Sequence, residues 1–557
     1  MSTFNNSSRR PFYLGHRVLH RYDKLPSISA TMPDTSEAVV RDEEIRDRIG
    51  GENCERLPAA PDTFDSKYQT TRAEIWSWYV YYISNSGLTL FNFAPTAFQN
   101  LVSQAAGDTG VLHFAGRDRT VNSIVLLSNG IAFAIQIVVF LVLGSFADFG
   151  TWRPNILIVL SLMGIALGFG WLGVHTAGLW EVAAGMYIVG TIVYQTSFTF
   201  WQAAFPALAR NTASQMRKAD DLNAGRISLV DYHVADSLKR NELSNIALCL
   251  QVCVIPICAV IIGILYALRI NDSTENNNWG ISVVIAFGSG MWLLLAIPWF
   301  VLEKRRKGQD IPPGMNVVTA GLWQLYRASV YIWKLKQSLY FLIGYFLLGD
   351  ALNTTVTVVL TLQNEVVSYN SITLTYLLMV GYLSQGVGVY TMWRIQRKWS
   401  ISTKTMFNAV AIATIILDAW GVAGIYTQKI GFHNIWEFWF YQVYFGVFVC
   451  AWFSFSMTMI SEVTPRGKEF LFFSLFNIVG KTSSFIGPLV SSAIIDASTD
   501  GNNSLPFWFL FAVSIVSFLG LYIFVDLQKS QKEQQDLLDE EQLIIKRLKG
   551  LASPSAL

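Results

Sequence analysis

The sequence predicts an all-α membrane protein whose twelve transmembrane helices fall into two halves of six. Three observations carry this. The 557-residue chain is 52% hydrophobic and only 14% charged, far more apolar than a soluble domain of average usage. Apolar runs of about 20 residues, the length a helix needs to cross a hydrocarbon core of roughly 30 Å, recur from Glu74 onward. Finally, Lys and Arg crowd into alternate connections between those runs, twenty in one set and four in the other.

Residues 1–73 are polar, rich in Ser, Asp, Glu and Arg, and contain no apolar core of signal-peptide length, so they read as a disordered tail. Arg9, Arg10, Arg17 and Arg21 give its start some likeness to a transit peptide, but an acidic stretch from Asp34 to Asp65 follows at once. The N-terminal half, 74–302, holds runs near 75–103, 121–144, 154–172, 180–205, 244–268 and 280–302. A basic linker, 303–336, leads to the C-terminal half, 337–526, with runs near 337–361, 372–393, 406–426, 436–461, 469–497 and 506–526. Residues 527–557 form a second tail. The other long connection is the polar stretch 206–243.

Positive charge is retained on the cytoplasmic side of a membrane, so the twenty-to-four split places both tails in the cytosol. The same basic residues are spread over many loops and form no stripe, which excludes a nucleic-acid partner. Four of the five cysteines, Cys249, Cys253, Cys258 and Cys450, lie in apolar runs and no CxxC pair exists. Neither a metal centre nor a disulfide framework is expected, and no cofactor.

The turn between the second and third runs, Gly144 to Pro154, reads GSFADFGTWRP. It resembles the signature loop of the major facilitator transporters, G-x-x-x-D-x-x-G followed by basic residues. Gly144 and Asp148 match, Gly150 falls one position early, and Arg153 supplies the positive charge. The resemblance implies the six-plus-six major facilitator arrangement. Gly144 would let two helices approach closely, and Asp148 would cap the dipole of a facing helix; an ordinary glycine turn is the alternative. A fainter echo, Gly386 to Trp399, sits between the eighth and ninth runs, where an internal repeat would put it.

Ionisable residues in mid-span are costly and therefore candidates for function. Asp350 leads them. With Asn353, Thr354 and Thr357 it makes one polar stripe at helical spacing, expected to face Asn85 and Ser86 across a central cavity; hydrogen bonding between spans is the alternative. Lys481, in FNIVGKTSSFIGP, would balance that charge from an eleventh span loosened by Gly480, Gly487 and Pro488, or would snorkel to the interface. Its GKT triplet is no phosphate loop, because residue 475 is Leu where glycine is needed. Asn85, Ser86 and Gly87 interrupt the first run, and a discontinuous helix frees backbone groups for a zwitterion. Tyr194, Gln195, Thr199, Trp201 and Gln202 add polarity in the fourth. Gln136, Asp418 and Asp496 are weaker candidates.

Trp78, Tyr81, Asn85 and Ser86 in the first run, FPALA after the fourth, Asp350 after YFLLG, and RGKEF followed by GKTSSFIGP occur in the right runs and order. Together they resemble the autophagy-related vacuolar amino-acid effluxers of fungi, a branch of the major facilitator fold, over about residues 70–527. The resemblance implies a vacuolar membrane carrier exporting amino acids to the cytosol, which sustains protein synthesis during nitrogen starvation. Broader relatives carry Asp at the position of Tyr82; if that acid couples transport to protons, this chain needs another group, such as Asp350.

A carrier is therefore the leading reading, with amino acids and protons as its solutes and the lipid bilayer as its setting. A membrane scaffold or lipid scramblase of the same fold is the alternative. An enzyme is not expected, since no His cluster or catalytic order of Ser, Thr and Asp is present. EQQDLL (Glu533 to Leu538) and DEEQLI (Asp539 to Ile544) resemble acidic dileucine signals for sorting adaptors, or else form an amphipathic packing helix. Asn271 and Asn502 are glycosylation acceptors in short connections on the side opposite the tails.

Overall fold

Backbone polar groups in a bilayer can be satisfied only by closing each apolar run into a helix. The structure, a computed structural model, describes residues 66–148, 151–227, 229–306, 316–399, 401–465, 472, 475–476, 479–480, 483–498, 502–534 and 536–537. Among them ten helices are long and apolar enough to cross a membrane. Spans 2, 3, 4 and 6 are Val121–Asp148, Arg153–Gly170, Trp180–Ala203 and Thr274–Leu302. Spans 7, 8, 9 and 12 are Lys336–Val366, Ser371–Trp399, Thr403–Tyr426 and Pro506–Phe524.

The remaining spans are broken or partly described. Span 1 is Arg72–Ser84 and Ala94–Ala106 joined by a π-helical turn, Leu88–Phe93. Span 5 is Leu229–Leu250 and Ile255–Ala267 with a 3-10 turn at Gln251–Val254. Span 10 is Ile435–Tyr444 and Trp452–Glu462 around a π-helical turn at Phe445–Val449. Span 11 is seen as Ser483–Phe485 and Ile486–Ala497. This order agrees with twelve spans.

The break in span 1 has a local cause. Gly87 sits at φ 81°, and a Cβ added there would lie 2.8 Å from the Tyr194 hydroxyl, so both backbone and neighbour require glycine. The Asn92 side-chain amide donates to the freed Gly87 carbonyl at 2.9 Å.

The two halves meet along spans 2 and 11 and along spans 5 and 8. Gly130 of span 2 receives the side chain of Leu489 from span 11, and Gly386 of span 8 receives Val252 from span 5. Spans 2 and 8 correspond in a six-plus-six repeat, as do 5 and 11, so one device serves both seams. Each half is braced separately on the face where its helices carry the basic loops. In the first half Arg306, 2% exposed, pairs with Glu74 at 2.7 Å and donates to the Tyr68 carbonyl. In the second half the Gln337 backbone N–H donates to Glu533 at 2.9 Å, and the Gln534 amide donates to the Glu462 carbonyl at 3.1 Å.

Several expectations need correction. The stretch 206–243 is no loop: it folds as Phe205–Arg210, Ala213–Asn223 and the start of span 5, which begins at Leu229 rather than 244. Polar residues with good helix propensity prolong a span into water. The linker likewise contains a helix, Val317–Lys334, capped by Asn316. Residues 111–120 form a β-hairpin, Val111–Phe114 with Arg117–Thr120, turned by Ala115 and Gly116 at φ 50° and 78°. Gly144 and Asp148 belong to the last turns of span 2, not to a loop, while Gly150 lies outside the described residues.

Candidate functional site

A small, partly open cavity lies between the halves. Its walls come from spans 1, 2 and 4 on one side and spans 7 and 8 on the other. Asn92, Thr96 and Gln99 supply the polar face of span 1; Thr357, Thr361 and Asn364 supply that of span 7. Both triplets have the spacing i, i+4, i+7, which puts three side chains on one helix face. Asn129, Tyr187, Thr191 and Gln363 add further amide and hydroxyl groups, and Leu90, Phe91, Phe93, Leu360, Leu374 and Leu378 the apolar wall. The lining contains no Asp, Glu, Lys or Arg.

On the side away from the basic loops, the far side, hydrogen bonds tie one half to the other. Thr96 Oγ1 donates to Asn364 Oδ1 at 3.0 Å, Asn364 Nδ2 donates to Gln99 Oε1 at 3.0 Å, and Gln99 Nε2 donates to the Thr361 carbonyl at 2.9 Å. Further out, Arg119 of the hairpin pairs with Asp496 of span 11, and Asn122 donates to Glu365 at 2.9 Å. Asn277 of span 6 donates to the Tyr369 carbonyl and accepts from Ser371, both at 3.0 Å. On the far side, then, the two halves are bonded to each other.

Toward the basic face the cavity ends at a collar where the breaks in spans 1 and 5 meet span 8. Gln251 Oε1 accepts from the Tyr82 hydroxyl at 3.1 Å and from Gln385 Nε2 at 2.5 Å. The Gln251 amide and the Tyr382 hydroxyl both donate to the Ser86 carbonyl at 3.5 Å. Beyond the collar, Ser454 Oγ donates to Asn245 Oδ1 at 2.9 Å, again linking the halves.

Of the residues singled out from sequence, Thr357 lines the cavity, while Asn85 and Ser86 on span 1 and Asp350, Asn353 and Thr354 on span 7 precede it toward the basic face. Asn85 is buried and donates to Ser197 of span 4 at 3.3 Å, while its Oδ1 has no partner. Tyr194 closes over Gly87, and Gln195 is half-buried beside it. Trp201 is sandwiched between Trp78 and Tyr82, at centroid distances of 4.5 and 4.7 Å, which gives it a packing role between spans 1 and 4.

The Asp350 stripe does not face Asn85 and Ser86. Asp350 Oδ1 accepts from the Gly487 backbone N–H at 2.9 Å, and Asn353 donates to Ser484 at 2.9 Å, so this end of the stripe packs on span 11 of its own half. Thr354 lies against Gly487, close enough that a Cβ there would meet it. A stripe repeating every seven residues drifts about 20° per heptad around a straight helix, and Asp350 and Asn364 are two heptads apart. Its two ends therefore look at different neighbours. Lys481 lies outside the described residues.

Other assignments resolve as structure. Asp418 accepts from Thr355 and Ser514, each at 2.6 Å, tying spans 7, 9 and 12 together. Arg153 binds Glu303 at 3.2 Å and the Ala203 carbonyl at 3.3 Å, locking spans 3, 4 and 6. Gln136 is buried with neither amide atom partnered. Leu537 of EQQDLL is buried in the apolar core of the second half, while Leu538 and DEEQLI lie outside the described residues. The cavity residues Asn92, Thr96, Gln99, Thr361 and Asn364 were missed; their signal was the matched i, i+4, i+7 triplets in spans 1 and 7.

A family model described as vacuole effluxer Atg22 like matches residues 70–535. The chain is similar to Autophagy-related protein 22 of Yarrowia lipolytica, 24% identical over 478 residues that cover 77% of this chain and 80% of that protein. It is 22% identical over 579 residues to Autophagy-related protein 22 of Neurospora crassa, covering 88% and 76% respectively. Among solved structures it is similar to a mutant of the nucleoside transporter NupG, with a TM-score of 0.50, 10% identity, and coverage of 82% of this chain and 99% of that one. The partially occluded, inward-open xylose transporter XylE from E. coli gives a TM-score of 0.50 at 14% identity, covering 81% and 99%. At these identities the likeness shows the fold, that of a major facilitator transporter.

Proposed function

Because the chain belongs to the Atg22-like vacuole effluxer family, we propose that it carries amino acids from the vacuole lumen to the cytosol by alternating access. The export sustains protein synthesis during nitrogen starvation. The basic face is then cytosolic, with both tails on it, and the far face is luminal.

One observation carries this reading: the cavity between the halves offers many amide and hydroxyl groups and no fixed charge. A zwitterion has no net charge, so it needs donors for its carboxylate and acceptors for its ammonium, and amides supply both. A fixed carboxylate or ammonium in the same wall would favour one end of the solute and cost free energy when the site is empty.

In this scheme Asn85, Ser86, Tyr194 and Gln195 border the way from the cavity to the cytosol, with Trp201 holding spans 1 and 4 in place. Asp350, with Asn353 and Thr354, is the proton-coupling group, and Lys481 of span 11 its counter-charge. Protonation of Asp350 would weaken its hold on the Gly487 N–H and so loosen span 7 from span 11. The segment Gly144, Asp148, Gly150 and Arg153 steadies the cytosolic end of the first half. The C-terminal EQQDLL acts as a packing element, and a sorting adaptor would need to release it first.

Isolated vacuoles loaded with labelled amino acids test the reading. Their efflux is expected to slow sharply when the protein is deleted and to depend on the pH gradient. Equal efflux with and without the protein, accompanied by lipid exchange between leaflets that does depend on it, would replace the carrier by a scramblase.

A further inference from the structure

We propose that the linker helix, Val317–Lys334, is a lipid-binding element: it lies along the bilayer leaflet next to the basic loops, with one apolar stripe sunk among the acyl chains and its positive charge among the phosphate headgroups.

The stripe is Leu322, Tyr326, Val330 and Trp333, whose spacing i, i+4, i+8, i+11 puts them on one helix face. All four are exposed, Tyr326 to 62% and Trp333 to 72%, so the described residues do not cover them. Another face is already taken: Ile332, with Leu335 just past the helix end, is buried in the core of the second half, and the helix also packs against span 2 of the first. The helix is not among the described helices long and apolar enough to cross a membrane. Nor does it prolong span 7, because the backbone leaves helical values at Leu335, φ −102° and ψ 83°, before that span begins. A helix of this kind, apolar on one face and too polar to insert, settles in the interface plane.

Lipid is the covering that its surroundings offer. Span 7 starts at Lys336, three residues after Trp333, and exposes Tyr340 and Ile343 on the outside of the bundle within its first turns, so the stripe continues an apolar surface that faces the bilayer. Tyr and Trp favour the headgroup level, where the ring is apolar and its polar atom stays wet. No Asp or Glu occurs between Ile311 and Lys336, whereas Arg327, Lys334 and Lys336 do, and a stretch of purely positive charge suits phosphate headgroups. The first turn is polar: Asn316 and Thr319 are exposed and cap the helix between them, which keeps that end in water.

Spin-label accessibility on the full chain, in nanodiscs of phosphatidylcholine and phosphatidylglycerol, tests this. Labels are placed one at a time at Leu322→Cys, Tyr326→Cys, Val330→Cys and Trp333→Cys, and at Thr319→Cys as the wet reference, with Cys54, Cys249 and Cys253 replaced by serine. Collisions are measured with oxygen, which concentrates in hydrocarbon, and with a nickel chelate, which stays in water. The oxygen-to-chelate ratio is expected to be several-fold higher at the four stripe positions than at Thr319→Cys. A ratio in monodisperse protein equal to that of Thr319→Cys would put the stripe in water and overturn the proposal. Weak collisions with both probes would overturn it as well, because the stripe would then lie under another protein surface, whether a partner's or a second copy's.

Discussion

Trp78 and Trp201 hold each other in both directions: each indole N–H donates to the other's backbone carbonyl, at 3.3 and 3.2 Å, across stacked rings. The pair binds the end of span 1 nearer the basic loops to span 4, just before the break at Gly87. Trp201→Phe keeps an aromatic ring but removes one donor, and is expected to cost about 1–3 kcal/mol. Trp78→Phe should cost a similar amount and the double variant less than the sum, because the two rings also share one stacked contact. Thermal unfolding of the four proteins in detergent checks this; full additivity would contradict it.

Below that pair lies a buried charge cluster. Glu74 and Arg306 are 1% and 2% exposed at their side chains, so removing one partner leaves the other charge uncompensated, at about 3–5 kcal/mol. Next to them, burial holds the Glu303 carboxyl above its ordinary value, against the opposing pull of Arg153. A group with a raised folded pKa binds its proton more tightly in the fold than in the unfolded chain. Its contribution is therefore full below the ordinary glutamate pKa of about 4.3 and is lost as pH rises through the raised value. Glu303→Gln should flatten the fall of melting temperature with rising pH over that window; an unchanged pH profile would remove Glu303 as its source.

Asp350→Asn keeps shape and hydrogen-bonding capacity and removes the charge. Efflux is expected to be lost or to become independent of the pH gradient, with folding and vacuolar delivery intact. Gly487→Ala probes the same contact from the other helix, since its Cβ would press on Thr354 and lie 3.0 Å from Asp350 Oδ1. It should impair efflux as strongly. Parental efflux with unchanged pH dependence in Asp350→Asn would leave the residue as a bond between spans 7 and 11.

Asn271 tests orientation. Its side chain accepts from Asn370 at 3.0 Å in a short connection, so glycosylation of the parent should be poor. Lengthening residues 269–279 should make Asn271 a glycosylation site; modification of an acceptor placed in the 206–243 region instead would invert the topology.

Much of this architecture was legible in the sequence. Apolar length and the bias of Lys and Arg located the spans and the six-plus-six division, because both follow from transfer free energy alone. The break at Asn85 to Gly87 was readable too, since only glycine tolerates that backbone. The site was less legible. Asp350 drew attention as the costliest residue in its span, yet charge in a membrane marks a helix contact as readily as a cavity. Gln99 and Asn364 carry no charge and lie 265 positions apart, so nothing local announces that they meet. The helix in 317–334 carries an amphipathic period that the reading of the stretch as a basic linker passed over, whereas packing of the EQQDLL leucines was one of the two readings that stretch offered.

Uptake by purified protein in proteoliposomes bears most directly on the central claim that the cavity between the halves carries amino acids. Vesicles preloaded with an amino-acid mixture should exchange it for labelled amino acids when the protein is present. Thr357→Trp, which fills the cavity, should reduce that exchange to the level of empty vesicles while its melting temperature stays near the parent's. Exchange at the parental rate by a folded Thr357→Trp protein would contradict the account.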